Sequence, residues 1–336
     1  MTDLSELIPA ARRGDVQSAL STTFGADLVS DFRPISGGVS GAQILRFKAR
    51  ERAYVLRVEP ERVALHDRQR GFACMAQAAA AGVAPSLHYA DADAGVAIMD
   101  FVAGRPLAEH PGGSVGLVRE LAGLITQVQS ATEFPLIGDY PEMIAAMLAS
   151  LSKSGLFPPG ALEPHAQGLE RIRAALPWDS ASLVSSHNDA NPRNILFDGR
   201  RLWLIDWELA FRNDRLVDLA ILTTDLAEAP ELEAALLDAA LGQAPDRYLR
   251  ARLAVMRLLV RLSYGCVVLE GFAGSTSDPG LEAFTPADFR AAVADGRLRS
   301  GSAQTAYAFG KMSLAAFIHE LAAPGFDEVL SVLRQG

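Results

Sequence analysis

The stretch "SSHNDANPRNILFDGRRLWLIDWELAF", residues 185–211, decides the fold. Its two apolar runs, "NILF" and "RLWLID", flank Asp198-Gly199, a turn signal, so residues 194–206 are predicted to form a β-hairpin. Asn194 then begins the first strand and Asp206 ends the second. In an antiparallel pair those ends lie side by side, with the strands roughly 4.8 Å apart. An amide oxygen and a carboxylate facing one small volume suit Mg2+, which takes one or two protein oxygens together with waters and phosphate oxygens. Asp189, on the loop entering the hairpin, addresses the same volume as a carboxylate able to orient a hydroxyl and accept its proton. Taken singly, each of these residues is better explained as a turn cap or a surface pair; the combination is what points to chemistry.

Upstream, "FRPISGGVSGAQILRFKARERAYVLRVEP" (32–60) holds a glycine-rich bend followed by two β-rich runs separated by a charged turn. "HDRQRGFACMAQAAAAGVAP" (66–85) is alanine-rich and stops at Gly82 and Pro85, as a helix with a C-terminal glycine does. "SLHYADADAGVAIMDFVAG" (86–104) has the pattern of two strands joined by an acidic turn. Beyond it the period changes. In "SVGLVRELAGLITQVQSA" (114–131) Leu117, Leu121, Leu124, Ile125 and Val128 fall at three- and four-residue spacings, one face of a helix. Further helices are predicted at residues 140–154, 161–175, 215–227, 230–241, 246–271 and 302–322, and a short helical lead-in over the first 25 or so. A β-rich N-terminal lobe, residues 1–103, joined to a mainly helical C-terminal lobe, residues 104–336, is the simplest α+β partition.

The 31 basic and 40 acidic residues give a formal charge of -9, which repels phosphate backbones and argues against nucleic acid as a partner. Apolar residues at 49% and dispersed charge at 21% describe an ordinary globular chain. Cys74 and Cys266 lie far apart in apolar surroundings and are expected to be buried free thiols, which fits a reducing cytoplasm. The N-terminus has no basic start followed by an apolar core, so no signal peptide is expected. "ARLAVMRLLVRLSYGCVVLEGF" (251–272) is interrupted by Arg257 and Arg261, so no membrane insertion is expected either.

H-x-D-x-x-x-x-N followed by a strand ending in Asp matches the kinase catalytic loop and metal-binding Asp in order and spacing. "HNDANPRN" (187–194) with "LIDWE" (204–208) resembles the catalytic core of the aminoglycoside phosphotransferase and choline kinase superfamily. "SGGVSG" (36–41), "YVLRV" (54–58) and "NDRLVDLA" (213–220) resemble further elements of it. The resemblance implies a protein-kinase-like two-lobe fold and an ATP- and Mg2+-dependent transfer of phosphate to a small-molecule hydroxyl. By it Asp189 is the catalytic base, and Asn194 and Asp206 hold the metal. His187 supports the loop, and Asp218 anchors it. Ser36, Gly37, Gly38, Ser40 and Gly41 approach the nucleotide phosphates, glycine there permitting close backbone approach. Arg57 stands where protein kinases carry a phosphate-binding lysine, and arginine also occurs there in choline kinase-like proteins. The backbone from Asp100 to Val102 resembles the hinge that holds adenine.

Four points stay open at this stage. Such kinases pair the basic residue with a glutamate on the following helix, and "HDRQRGFACMAQ" has none; Gln69 is the best-aligned substitute, with Asp67 the other. Trp207 and Glu208 resemble the cation-recognising pair of the choline and ethanolamine branch, yet Trp207 is equally well explained as core, and Glu208 as a second metal ligand or a partner of Arg212 or Arg215. Tyr264, with Glu270 and Phe272, lines an acceptor pocket in one reading and a helix interface in the other. The favoured acceptor is choline, ethanolamine or a related amino alcohol. An aminoglycoside, thiamine or a sugar is the alternative within the enzyme class, and a catalytically weak nucleotide-binding pseudokinase the alternative outside it.

Overall fold

In the computed structural model, which describes residues 4–25, 29–35, 41–60, 67–130, 133–274 and 283–335, two short helices, α1 (Leu4–Leu7) and α2 (Arg13–Phe24), precede a five-stranded sheet. Its strands are β1 (Val29–Pro34), β2 (Gln43–Ala49), β3 (Arg52–Val58), β4 (Leu87–Asp91) and β5 (Val96–Asp100), with helix α3 (Arg68–Ala80) inserted after β3. The spatial order is β1-β2-β3-β5-β4, and every neighbouring pair is antiparallel. Strand alternation sends Leu45, Phe47, Leu56, Val58, Val96 and Ile98 to one face, where Ile8, Val16, Ala19 and Leu20 cover them. Phe47 stacks on Phe32 there, with ring centroids 5.3 Å apart. Arg57, between Leu56 and Val58, therefore belongs to the opposite face, in register with Ile44 and Ala97.

The charged turn between β2 and β3 places both Arg50 (φ 47°) and Glu51 (φ 65°) in the left-handed region, as a two-residue type I′ hairpin requires, although neither is the glycine or asparagine that adopts it most readily. Helix α3 starts on Asp67, whose carboxylate accepts the Arg70 N–H at 3.1 Å. It ends as expected at Gly82 (φ 74°), where Val83 N–H closes on Ala78 O at 3.0 Å.

The remaining elements are α4 (Gly113–Gln129), α5 (Tyr140–Lys153), α6 (Glu163–Arg173), β6 (Val184–Ser186), β7 (Ile195–Phe197), β8 (Leu202–Leu204), β9 (Phe211–Asn213), α7 (Val217–Asp225), α8 (Pro230–Leu241), α9 (Arg247–Glu270), α10 (Pro286–Ala294), α11 (Ala303–Leu321) and α12 (Phe326–Leu333). The α4 face of Leu117, Leu121, Leu124, Ile125 and Val128 is buried, as its periodicity predicts. Helices α10 and α12 are additions to the elements expected from sequence. None of the helices among the described residues is long and apolar enough to cross a membrane.

The chain divides into two compact units. One comprises Met1–Pro135, Val184–Arg212 and Asp225–Ala240; the other comprises Leu136–Leu183, Asn213–Thr224 and Leu241–Gly336. This division differs from a cut after residue 103, because backbone hydrogen bonds join the later hairpin to the first unit. Leu204 N–H donates to Val83 O at 2.9 Å and Arg105 N–H to Phe197 O at 2.7 Å. In the second unit, α9 and α11 meet at two glycines. A Cβ on Gly310 would lie 2.6 Å from Leu269 Cγ, and one on Gly265 2.6 Å from Leu314 Cδ2.

Candidate active site

Strands β7 and β8 form the hairpin expected at residues 194–206, with Ile195 opposite Leu204 and Phe197 opposite Leu202. Its turn is a four-residue loop, Asp198 to Arg201, whose first carboxylate accepts the N–H groups of Arg200 (2.8 Å) and Arg201 (2.9 Å). At the open end Ile205 N–H donates to Asn194 O at 3.0 Å, so Asn194 and Asp206 are carried on adjoining strand ends. The Asn194 side chain turns the other way: its Nδ2 donates to Asp189 Oδ2 at 2.7 Å and to Asp189 O at 2.9 Å. Asn191 Nδ2 donates to the other carboxylate oxygen, Oδ1, at 2.8 Å. The Asp189 carboxylate thus accepts an amide N–H on each oxygen, which orients it.

The loop is braced from beneath. His187 Nε2 lies 2.9 Å from Ile205 O and its Nδ1 accepts the Asp189 N–H at 3.3 Å. The pair of contacts ties the ring to both the hairpin end and the Asp189 backbone. Asn188 adopts a left-handed backbone (φ 62°) and its Nδ2 donates to Leu209 O at 3.0 Å and Phe211 O at 3.2 Å. Asp206 is also left-handed (φ 69°), a conformation that Asp and Asn accept more readily than most residues. Trp207, which follows it, is 1% exposed. Its ring lies 4.5 Å from His187 and 5.9 Å from Phe134, and its N–H donates to Leu204 O. Trp207 packs beneath the loop, the core placement that was one of the two readings of it from sequence.

Arg57 organises the charges. Its Nε donates to Glu59 Oε1 at 2.6 Å, Nη1 to Asp206 Oδ1 at 2.9 Å and Nη2 to Glu208 Oε2 at 2.8 Å. Neither candidate partner from the following helix takes part. Gln69 donates to Asp93 Oδ1 at 3.0 Å in an exposed position, and Asp67 caps α3. Glu59, which sequence reasoning passed over, occupies the place considered for them. Burial works against the charge of Arg57, but Asp206, Glu59 and Glu208 together outweigh it and raise its pKa above the ordinary value. One cation shared by three carboxylates leaves an excess of negative charge. It falls on Glu208, whose pKa is pushed up to about 8 by burial and then by the Asp206 charge, with Arg57 opposing. Helix α3 comes close to this group at Gly71, where a Cβ would lie 3.3 Å from Glu208 Cα. Arg70 Nη2 donates to Glu208 O at 2.8 Å.

The other sequence-derived candidates are placed as follows. Ser36, Gly37, Gly38 and Ser40 lie outside the described residues; Gly41 is left-handed (φ 74°), next to Pro60. Of the N–H groups from Asp100 to Val102, that of Asp100 donates to Ser86 O and that of Phe101 to Ala53 O. The Asp100 carboxylate contacts His88 Nε2 at 2.8 Å. Tyr264 sits on α9 with its ring 5.9 Å from Phe309, and Glu270 accepts from Ser150 at 3.0 Å, both within the second unit. Asp214 pairs with Arg252 at 2.6 Å, and Asp218 is fully buried at the start of α7. Among the described residues no group of three His, Cys, Asp or Glu side chains is arranged to hold a metal ion. The donor set that fits one is smaller and harder: the Asn194 amide oxygen, whose nitrogen is engaged by Asp189, and the Asp206 carboxylate, the oxygen chemistry that magnesium prefers.

Comparison with known proteins agrees with this geometry. Residues 31–254 match the sequence profile of the phosphotransferase enzyme family, which includes the sheet, Arg57 and the whole hairpin. The chain belongs to this phosphotransferase family. Among solved structures, the phosphotransferase resembles a choline/ethanolamine kinase family protein from Mesorhizobium loti, with a TM-score of 0.69, 21% identity and coverage of 97% of this chain and 100% of the other. It resembles a choline kinase from Streptococcus pneumoniae with a TM-score of 0.65 and 18% identity over 91% of this chain and 100% of the other. It also resembles an aminoglycoside-3'-phosphotransferase of type VIII, with a TM-score of 0.54 and 22% identity over 75% of this chain and 99% of the other. A 70-residue stretch, 20% of the chain, is 36% identical to an uncharacterized protein of Metamycoplasma hominis and spans 14% of that protein's length. The α+β fold of this phosphotransferase, an antiparallel sheet followed by a mainly helical part, is that of the small-molecule kinases.

Proposed function

We propose that this phosphotransferase moves the γ-phosphoryl group of ATP to the hydroxyl of a small amino alcohol of the choline or ethanolamine type. The observation that carries the proposal is the double role of Asn194, bonded through its side chain to Asp189 and through its backbone to the strand that ends in Asp206. One residue thereby ties a fixed carboxylate to a charged oxygen cluster, the arrangement that phosphoryl transfer requires. Asp189 would accept the proton of the acceptor hydroxyl as its oxygen forms the bond to the γ-phosphorus and the bond to the β-phosphate oxygen breaks, releasing ADP. Asn194 and Asp206 would hold magnesium, which when bound neutralises phosphate charge. Arg57 would offer its positive charge to the phosphates, residues 36–41 would approach them with backbone N–H groups, and residues 100–102 would hold the adenine.

The choice of acceptor class is supported by the likeness to two choline or choline/ethanolamine kinases along nearly their whole length. The test is ADP release from ATP and Mg2+ over a panel of choline, ethanolamine, related amino alcohols, thiamine, sugars and aminoglycosides, with Asp189→Ala as the control. Stimulation by amino alcohols that vanishes in Asp189→Ala is the expected result. Stimulation by an aminoglycoside, thiamine or a sugar instead would move the acceptor class. Nucleotide binding with no stimulation by any member would favour a nucleotide-binding pseudokinase.

A further inference from the structure

We infer that Glu59 is the positioning residue for Arg57 in this chain, taking over from the β-sheet the task that a helix glutamate performs in kinases. The inference rests on the proposed function, in which Arg57 offers its charge to nucleotide phosphates. Helix α3 has no acidic residue anywhere along Arg68–Ala80, and its Gln69 faces Asp93 instead of Arg57. Glu59 is 5% exposed, and its Oε1 meets Arg57 at Nε, 2.6 Å away. A bond at Nε fixes the rotation of the guanidinium plane while both Nη groups stay directed at Asp206 and Glu208. Those two carboxylates belong to the hairpin segment; Glu59 is the partner that follows β3 directly, two residues from Arg57 in the chain.

Glu59 is itself held at both ends of its peptide. Its N–H donates to Gly95 O at 2.8 Å, and its carbonyl accepts Arg12 Nη1 at 2.5 Å. The other arm of Arg12 donates to Ala94 O. Gly95 is left-handed (φ 61°), and a Cβ there would come within 3.1 Å of the Glu59 Cβ. A buried arginine from the N-terminal segment and a close glycine turn thus define where the Glu59 carboxylate sits, and a charged hydrogen bond passes that position on to Arg57.

The test compares ATP binding in the presence of Mg2+, by calorimetry, and steady-state turnover for wild type, Glu59→Gln, Glu59→Asp, Gln69→Ala and Arg57→Ala. Glu59→Gln should weaken ATP binding and raise its KM about tenfold, the scale of one charged hydrogen bond, with a smaller effect on kcat. Glu59→Asp should recover part of the loss, and Gln69→Ala should stay within about twofold of wild type. Added to Arg57→Ala, Glu59→Gln should cause no further weakening, because its effect acts through that residue. If Glu59→Gln does not fold, Glu59→Asp supplies the same comparison by shortening the reach while keeping the charge. Wild-type affinity in the Glu59 variants, or an undiminished loss in the Arg57→Ala background, overturns the inference while leaving the phosphotransfer proposal standing. A wild-type protein that binds no nucleotide overturns both.

Discussion

Asn194 Nδ2 lies 2.7 Å from Asp189 Oδ2, while the Asn194 carbonyl accepts the N–H of Ile205, the residue before Asp206. A single asparagine therefore sets the spacing between the carboxylate that would take a proton and the one that would face the phosphates. Asp189→Ala is expected to lower kcat by about two to four orders of magnitude, the span of general-base catalysis, with ATP affinity unchanged. Asn194→Ala should lower both, since it loosens Asp189 and removes an oxygen proposed to hold magnesium. Titration of ATP with Mg2+ into each variant, beside its turnover, checks the split. Turnover by Asp189→Ala equal to the parent would remove Asp189 from the chemistry.

Glu208 predicts a pH-dependent stability. Burial and the Asp206 charge raise its folded-state pKa to about 8 from the ordinary 4.5, so the folded protein binds this proton more tightly than the unfolded chain. The stabilisation is fully present below about pH 4.5 and lost as the pH rises through about 8. Glu208→Gln cannot lose that proton. Without nucleotide or metal, the Tm of the variant relative to wild type should rise between pH 5 and pH 9. A difference that is flat with pH, or that falls, would show that pairing with Arg57 keeps Glu208 ionised throughout.

The α9–α11 contact predicts a steric penalty. Gly310→Ala would drive a Cβ to 2.6 Å from Leu269, and Gly265→Ala to 2.6 Å from Leu314. Better helix propensity favours alanine by roughly 1 kcal/mol, but overpacking of a fixed helix pair costs about 1–3 kcal/mol. Urea unfolding should show net destabilisation for both. A more stable Gly310→Ala would mean the helices separate at little cost.

Cys74 and Cys266 are free and buried, and burial pushes each thiol up to about 12. Neither supplies thiolate at pH 8. A chromogenic disulfide reagent should therefore find no fast-reacting thiol in the native protein and two after denaturation.

The helices and the hairpin were legible because each follows a period. The 3.6-residue face of α4 and the two apolar runs around Asp198-Gly199 allow few other structures. The partner of Arg57 was missed for an instructive reason. The resemblance pointed to the next helix, whereas Glu59 follows the last residue of β3 and lies only two positions from Arg57. That spacing in "RVE" was the available signal. Trp207 could not be assigned from sequence, since an aromatic beside a site residue has the same letter whether it lines a pocket or supports a loop from below. Its contacts with His187 and Phe134 decide the matter. The left-handed Asn188 and Asp206 were also illegible, because their side chains bond to groups distant in the chain, Asn188 to carbonyls 21 and 23 positions on and Asp206 to Arg57.

Arg12 reaches across 47 positions of sequence to hold the Glu59 carbonyl. The first dozen residues look like an expendable leader to anyone trimming the gene for expression. Shortening the protein past Arg12 would keep every hairpin and sheet residue in the sequence yet remove the bonds that hold Glu59, along with Ile8 from the core, so under the proposed function such a product would bind nucleotide poorly for a fault lying outside the proposed nucleotide site.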